Sequence, residues 1–190
     1  VLARATNTIA EGEVLQLTNV GNLDITEAQY REVIRCKTAL LFEAAAHTGA
    51  LVVNQPDPHH VEALRQFGQH FGITYQLVDD WLDYAGDSEL LGKNVGDDLA
   101  EGKLTLPLIY ALQNSPADEQ RMIADAIREK STAHLTEIVA IVQSSGALDY
   151  THQAAVTESE AALAELNKLP QNQHVDAMRT VTQYSTARLF

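Results

Sequence analysis

The stretch YQLVDDWLDYAGD, residues 75–87, combines strongly apolar side chains with four aspartates. On an α-helix, four of its polar residues fall at positions i, i+3, i+4 and i+7 and share one face: Gln76, Asp79, Asp80 and Asp83. The remaining circumference is apolar and carries Leu77, Val78, Trp81 and Leu82. The stretch therefore predicts a largely buried helix with a narrow acidic stripe, the aspartate stripe (Asp79, Asp80 and Asp83).

The aspartate stripe predicts a metal site. Ionised carboxylates that are buried without a partner are costly, and a divalent cation removes that cost. Oxygen donors on a rigid helix suit Mg²⁺, which keeps several waters and bridges carboxylates to substrate phosphates. We therefore predict that Asp79, Asp80 and Asp83 are Mg²⁺ ligands. The pattern leaves open a solvated acidic face on a surface helix, whereas the ligand spacing and central glycine of an EF-hand are missing.

Helical spacing of apolar residues extends along the chain, and strand-like alternation is sustained nowhere. Helix-boundary signals predict a first helix that runs to about Leu17, and a second from the Thr26–Gln29 capping box to about His47, with Gly49 behind it. A third helix is predicted from Asp57-Pro58 to about Tyr84. Further helices are predicted to begin at about Thr105 and at Ser115-Pro116, and Gly146 and Pro170 punctuate the last three. The glycine-rich stretch 85–103 reads as a loop with at most a short helical turn. Gly68 and Gly72 predict close helix contact or a slight bend. The predicted fold is one all-α domain of antiparallel helices.

The composition disfavours several partner classes. The chain has 190 residues with 13 Lys+Arg against 26 Asp+Glu, a formal net charge of −13. This balance disfavours nucleic acid and anionic membrane surfaces, and an anionic substrate would need a local cation. The single cysteine, Cys36, excludes an intrachain disulfide and favours a cytoplasmic location. No apolar run approaches the ~20 residues of a transmembrane helix, so none is predicted.

Two lysines follow glycines in the loop after the aspartate stripe, Lys93 in LGKNVG and Lys103 in EGKLTLP. Neither forms a P-loop, because five residues separate the glycines and Asn94 or Leu104 stands where Ser or Thr is required. Near a metal stripe, glycine-flanked lysines are suited to bind a diphosphate. Solvated loop lysines are the alternative reading for each.

Lys37 lies in the middle of a predicted helix. Its neighbours at i±3 and i±4 are apolar: Val33, Ile34, Leu40 and Leu41. No acid on its own helix can pair with it, so it either extends to solvent or meets an anion supplied from elsewhere.

These segments resemble one known family, the trans-isoprenyl (polyprenyl) diphosphate synthases. YQLVDDWLDYAGD resembles the second aspartate-rich motif of that family, and CKTALLFEAAA resembles its Lys-Thr helix. LGKNVGDDLAEGKLTLPLIYAL resembles the segment that follows the second motif. The order and spacing of the segments fit over most of the chain, and the likeness is greatest to bacterial long-chain enzymes of the octaprenyl type.

The resemblance implies an antiparallel helix bundle of the isoprenoid synthase type, a homodimer, and Mg²⁺-dependent condensation of isopentenyl diphosphate with an allylic diphosphate such as farnesyl diphosphate. The implied metal ligands are Asp79, Asp80 and Asp83. The implied diphosphate-binding lysines are Lys37, Lys93 and Lys103. The implied catalytic side chains near the reacting allyl group are Lys37, Thr38 and Gln76. Asp98 matches an acid close to the metal-bound waters.

The 190 residues depart from the family pattern in one respect. They contain no second DDxxD sequence, so the family's first aspartate motif and the arginines after it have no counterpart here. The resemblance therefore predicts that residues 1–190 are the C-terminal part of a single synthase domain and are inactive alone. Two alternatives stay open: a non-catalytic helical subunit of a heteromeric synthase, and a terpene cyclase. Retention of the aspartates and lysines disfavours the first, and the all-aspartate motif disfavours the second.

Overall fold

The computed structural model describes residues 1–85 and 95–187, and every regular element in these two ranges is helical. The α-helices are α1 (Leu2–Thr18), α2 (Glu27–Ile34), α3 (Leu40–Leu51), α4 (Pro58–Ala85), α5 (Asp97–Glu101), α6 (Leu106–Asn114), α7 (Ala117–Glu129), α8 (Leu135–Ser144), α9 (Ala147–Leu166) and α10 (Gln173–Ala187). A π-helical segment, Arg35–Ala39, joins α2 to α3. The predicted all-α class is confirmed.

The described chain forms two compact units. The first contains Val1–Val14, Glu32–Val78 and the residues from Ala154 onward. The second contains the described residues of Leu15–Arg31 and Asp79–Gln153. The single-domain organisation stays a prediction.

Two predicted helix starts are confirmed by hydrogen bonds. The Gln29 N–H donates to Thr26 Oγ1 at 3.3 Å, and the Thr26 N–H donates to Gln29 Oε1 at 2.8 Å, which is the reciprocal pattern of a capping box. At the start of α4, the His59 N–H donates to Asp57 Oδ1 at 2.8 Å. Both caps satisfy backbone donors that the first helical turn leaves without an intrahelical acceptor.

The predicted helix from Thr26 to about His47 is wrong in two details. A π-helical segment interrupts its α-helical hydrogen bonding at Arg35–Ala39, around Lys37 and Thr38. The helix also continues to Leu51, so that Gly49 lies inside α3. Apolar periodicity cannot distinguish one wider turn within a helix, and a glycine lowers helix propensity without forbidding a helix.

The core of the first unit is built on α4. Buried side chains from α4, α9, the connection after α9 and the start of α10 form one apolar cluster: Ala63, Phe67, Ala162, Leu166, Leu169 and Val175. Phe71 of α4 packs against this cluster and also lies edge-on to Phe42 of α3, with the two ring centroids 5.4 Å apart. These contacts hold α3 and the π-helical segment against the middle of α4.

Gly68 and Gly72 permit this close packing, as predicted. A Cβ atom on Gly68 would lie 2.5 Å from the Phe42 carbonyl oxygen, and one on Gly72 would lie 2.5 Å from Ala39 Cα. Both distances are to backbone atoms, which cannot move aside as a flexible side chain can. The two glycines therefore set how closely α4 approaches α3 and the π-helical segment.

We expect Gly72→Ala to lower the free energy of unfolding by about 1–3 kcal/mol, because the added methyl group must separate two packed backbones. Gly49→Ala is the matched control. Gly49 is an exposed position inside α3 with nothing within 4 Å of the added carbon, so alanine should stabilise by about 0.5–1 kcal/mol. Urea unfolding of the two variants measures both effects, and equal shifts of the same sign would contradict the packing role.

The second unit has its own core. Fully buried apolar side chains from α5, α6, α7 and α8 meet there: Leu99, Leu106, Leu108, Ile123, Ile127, Ile138 and Val142. The short helix α5 lies between two glycines with positive φ, Gly96 (+83°) and Gly102 (+72°). The Gly21 N–H donates to the Gly102 carbonyl at 2.9 Å, which ties the segment after α1 to the end of α5. This core positions α5 for the contacts with the aspartate stripe.

Candidate active site

The aspartate stripe lies on the last turns of α4, which is one α-helix through Ala85. Asp80 is 2% exposed, whereas Asp79 and Asp83 are half-buried. The flanking Leu77 and Val78 are buried. The stripe is thus embedded in apolar surroundings, unlike a solvated acidic face, and two of its three carboxylates remain accessible.

Asp83 is held by the start of α5. Its two carboxylate oxygens accept the N–H groups of Asp97 at 3.1 Å and Asp98 at 3.2 Å, and its carbonyl oxygen accepts the Gly96 N–H at 3.0 Å. Burial raises the pKa of Asp83, and the two N–H donors oppose this rise. Because each carboxylate oxygen has a second lone pair, these hydrogen bonds orient Asp83 and still allow it to bind a cation.

Asp98 joins the aspartate stripe from α5. Burial, together with the nearby carboxylates of Asp80 and Asp83, raises the pKa of its carboxyl to about 8, and Lys103 opposes this rise. The Nζ of Lys103 lies 3.9 Å from Asp98 Oδ1. Such a concentration of negative charge in a partly buried place is the condition that a divalent cation relieves.

Tyr30 of α2 is a site residue that the sequence did not indicate. Its hydroxyl donates to Asp80 Oδ2 at 2.5 Å, and Tyr30 itself is 3% exposed. Burial and the negative charge of Asp80 raise the pKa of Tyr30 well above its usual value, so the hydroxyl keeps its proton. The two residues are 50 positions apart, and no local pattern links them.

Of the two lysines that follow the aspartate stripe in sequence, the structure describes Lys103. Lys103 is half-buried and forms ion pairs with Glu101 and Asp98 within the second unit. Its N–H also donates to the Asp98 carbonyl at 2.9 Å. Lys93 lies outside the described residues. Lys103 therefore lies beside Asp98, with Glu101 as the nearer partner of its ammonium group.

Lys37 lies in the π-helical segment, in the first unit. Its Nζ is 3.0 Å from Glu13 Oε2 of α1, and both side chains are partly exposed. Glu13 belongs to another helix, so this ion pair agrees with the prediction that Lys37 has no acidic partner on its own helix. No local sequence pattern indicated Glu13 as a partner of Lys37.

Thr38 and Gln76, also in the first unit, are brought together by the packing of the π-helical segment on α4. Thr38 Oγ1 donates to Gln76 Oε1 at 2.8 Å. Both side chains are half-buried. This bond fixes the orientation of the Gln76 amide, whose position on α4 is one turn before Asp79.

The stripe and Asp98 fit Mg²⁺ by the chemistry of their donors. The donor atoms are carboxylate oxygens, which Mg²⁺ prefers, and they carry more negative charge than the neighbouring Lys103 balances. Within residues 1–85 and 95–187, no three His, Cys, Asp or Glu side chains are arranged to enclose an ion by themselves. Mg²⁺ commonly takes one or two carboxylates and completes its shell with water and substrate phosphates.

Comparison with known proteins gives the family. The family model described as polyprenyl synthetase matches residues 1–144. This chain belongs to the polyprenyl synthetase family. Among family members, the octaprenyl diphosphate synthase of Escherichia coli is 46% identical over 90% of this chain and 53% of its own length. The all-trans-nonaprenyl-diphosphate synthase (geranyl-diphosphate specific) of Rhodobacter capsulatus is 45% identical over 95% of this chain and 55% of its own length.

Solved structures of family members have the same fold. The polyprenyl synthase of Caulobacter crescentus, crystallised with calcium and isoprenyl diphosphate, is 41% identical and superimposes with a TM-score of 0.91 over all of this chain and 58% of its own. The neighbours have the all-α isoprenoid synthase fold, so the predicted fold type is confirmed. The chain spans about half the length of the curated relatives it matches. In its described part, no helix combines the length and the apolar character needed to cross a bilayer.

Proposed function

We propose that the protein containing this chain is an all-trans polyprenyl diphosphate synthase. It condenses isopentenyl diphosphate with an allylic diphosphate, such as farnesyl diphosphate, in a Mg²⁺-dependent reaction. The observation that carries the proposal is the partly buried group of carboxylates formed by the aspartate stripe and Asp98. The first N–H groups of α5 hold one of these carboxylates, Asp83, by hydrogen bonds, and the chain belongs to the polyprenyl synthetase family. The long-chain names of its relatives favour a long-chain product.

The proposed reaction places its main electrostatic demand on the leaving group. Breaking the allylic C–O bond builds negative charge on the departing diphosphate. Asp79, Asp80 and Asp83 would hold Mg²⁺, which would supply the positive charge that stabilises the leaving group. Within the second unit, Asp98 interacts electrostatically with Asp80 and Asp83 and would accept hydrogen bonds from the waters of a bound ion, and Lys103 would supply a further cation to the diphosphate.

The residues of the first unit have separate roles in this proposal. Lys37 binds a diphosphate oxygen through a charge-assisted hydrogen bond. Thr38 and Gln76 direct their dipoles at the allylic cation, and their mutual hydrogen bond keeps them oriented for that role. Lys93 binds diphosphate by motif likeness alone, because it lies outside the described residues. The cytoplasmic location and the homodimer also stay predictions.

The experiment is turnover by the complete encoded protein. With Mg²⁺, labelled isopentenyl diphosphate and farnesyl or geranyl diphosphate, we expect prenyl products longer than the starter, with chain length read by chromatography. A complete protein that binds both substrates and forms no product would instead support the alternative of a non-catalytic subunit. Activity that appears only after a second subunit is added would support the heteromeric form of that alternative.

We further propose that residues 1–190 alone are inactive, since they contain one aspartate motif and span about half of the relatives' length. The expected result is no detectable product from a sample whose intact mass matches 190 residues, under conditions in which the complete protein turns over. Chain elongation by the verified 190-residue species would contradict this prediction.

A further inference from the structure

We infer that Tyr30 is a positioning residue for the metal site, acting through Asp80; this inference rests on the proposed function. The Tyr30 hydroxyl donates to Asp80 Oδ2 at 2.5 Å, and both side chains are almost completely buried, at 3% and 2% exposed. The bond joins α2 to the end of α4 across 50 residues of sequence.

The hydrogen bond fixes more than one side chain. Asp80 lies between Asp79 and the next turn of α4, which carries Asp83. Because Tyr30 of α2 holds the Asp80 carboxylate, it fixes the rotation of this end of α4 about the helix axis. The directions of the Asp79 and Asp83 side chains are thereby fixed as well. Asp83 is gripped by α5 on its other side. The aspartate stripe is thus anchored at Asp80 and at Asp83, and Asp79 precedes both of these fixed points on the same helix.

A tyrosine suits this position because it is a neutral donor. Lysine or arginine would also anchor Asp80, but either would cancel the negative charge that a divalent cation needs. A buried tyrosine hydroxyl orients the carboxylate and leaves the charge of the stripe in place. Groups that orient metal-binding carboxylates in this way typically change metal affinity or activity by about 10–100-fold when they are removed.

The alternative is a purely structural bond that satisfies a buried carboxylate. That role predicts a loss of stability when the hydroxyl is removed, with no change in metal affinity. The two roles therefore differ in a metal titration, and a loss of stability alone does not separate them.

The test uses the complete encoded protein with Mn²⁺ as the probe and inorganic pyrophosphate as the only other ligand, with free Mn²⁺ read by electron paramagnetic resonance. Tyr30→Phe removes the hydroxyl and keeps the ring. We expect it to raise the apparent Kd for Mn²⁺ by about tenfold. Tyr84→Phe is the matched control, since Tyr84 is equally buried on α4. The Tyr84 hydroxyl lies near that of Thr105 but makes no hydrogen bond of normal geometry to any described residue. Its Kd should match the wild-type value.

A double-mutant cycle with Asp80→Ala shows whether Tyr30 acts through Asp80. In the Asp80→Ala background, Tyr30→Phe should change the Kd by less than about twofold, the limit expected when no interaction is left to remove. Thermal unfolding in EDTA, followed for every variant, confirms that each protein is folded before titration.

Three outcomes would overturn the inference: a Tyr30→Phe Kd within about twofold of wild type, an equal weakening in the Asp80→Ala background, or a wild-type protein that binds no Mn²⁺. The readout contains no prenyl substrate, so it is separable from the proposed function. A protein that shows the expected Mn²⁺ shifts and fails to condense substrates would refute the function and support the role of Tyr30. A protein that condenses substrates with an unchanged Tyr30→Phe Kd would refute the role of Tyr30 alone.

Discussion

Replacing Asp79 with alanine should lower kcat of the complete enzyme by roughly 10³-fold, equivalent to about 4 kcal/mol of lost transition-state stabilisation. Asp79 is the half-buried aspartate at the start of the stripe, and it shares one face of α4 with the anchored Asp80 and Asp83. Its removal takes away an oxygen ligand at the position where positive charge must meet the leaving diphosphate. Stability should change little, because the variant also relieves repulsion among neighbouring carboxylates.

The control for this prediction is Asp125→Ala. Asp125 is an exposed aspartate in the interior of α7, so the same chemical change occurs at a helical position outside the stripe. Steady-state kinetics at saturating substrate and Mg²⁺ should show a large loss for Asp79→Ala and none for Asp125→Ala. If both variants keep the wild-type kcat, the stripe is a structural acidic face and the metal role is wrong.

Replacing Lys37 with alanine should raise KM for a diphosphate substrate by about 10–100-fold, since a charge-assisted hydrogen bond to phosphate is worth about 1.5–3 kcal/mol. The effect of Lys37→Ala on stability should be small. Its ion pair with Glu13 is partly exposed, and such pairs contribute about 0–1 kcal/mol.

Glu13→Gln separates the two roles of Lys37. It removes the carboxylate partner and leaves the cation, so KM should stay the same or fall, as Lys37 is released to the substrate. If Lys37 serves only to pair with Glu13, the two variants should lose the same small amount of stability and neither should change KM. Steady-state kinetics with each diphosphate substrate, together with thermal unfolding, measures both quantities.

Most of the fold was predictable because its signals are local. The Thr26–Gln29 capping box and the Asp57 cap lie within one helical turn of the groups they satisfy, and both form as predicted. Gly68 and Gly72 lie one turn apart on α4 and indicated a close contact before its partner was known. The π-helical segment at Arg35–Ala39 was missed, because a single wider turn leaves the apolar pattern almost unchanged.

The candidate site was predictable only as a set of residue types. Helical periodicity places Asp79, Asp80 and Asp83 on one face, and the structure has them on one α-helix. Their assignment as metal ligands stays a prediction, as do the roles of Lys37, Thr38, Gln76, Lys93, Lys103 and Asp98. The burial of Asp80 and the grip of α5 on Asp83 come from elements that pack around α4, which periodicity along α4 cannot reveal.

The sequence by itself determined the all-helical class, the position of most helix ends and the alignment of three aspartates along α4. These features depend on interactions between residues a few positions apart, which the order of side chains encodes directly. Only the tertiary structure decided that Tyr30 anchors Asp80, that α5 grips Asp83, that Glu13 pairs with Lys37 and that Thr38 meets Gln76. These contacts join residues 14 to 50 positions apart, and such pairs meet only when helices pack, so no local pattern identifies them.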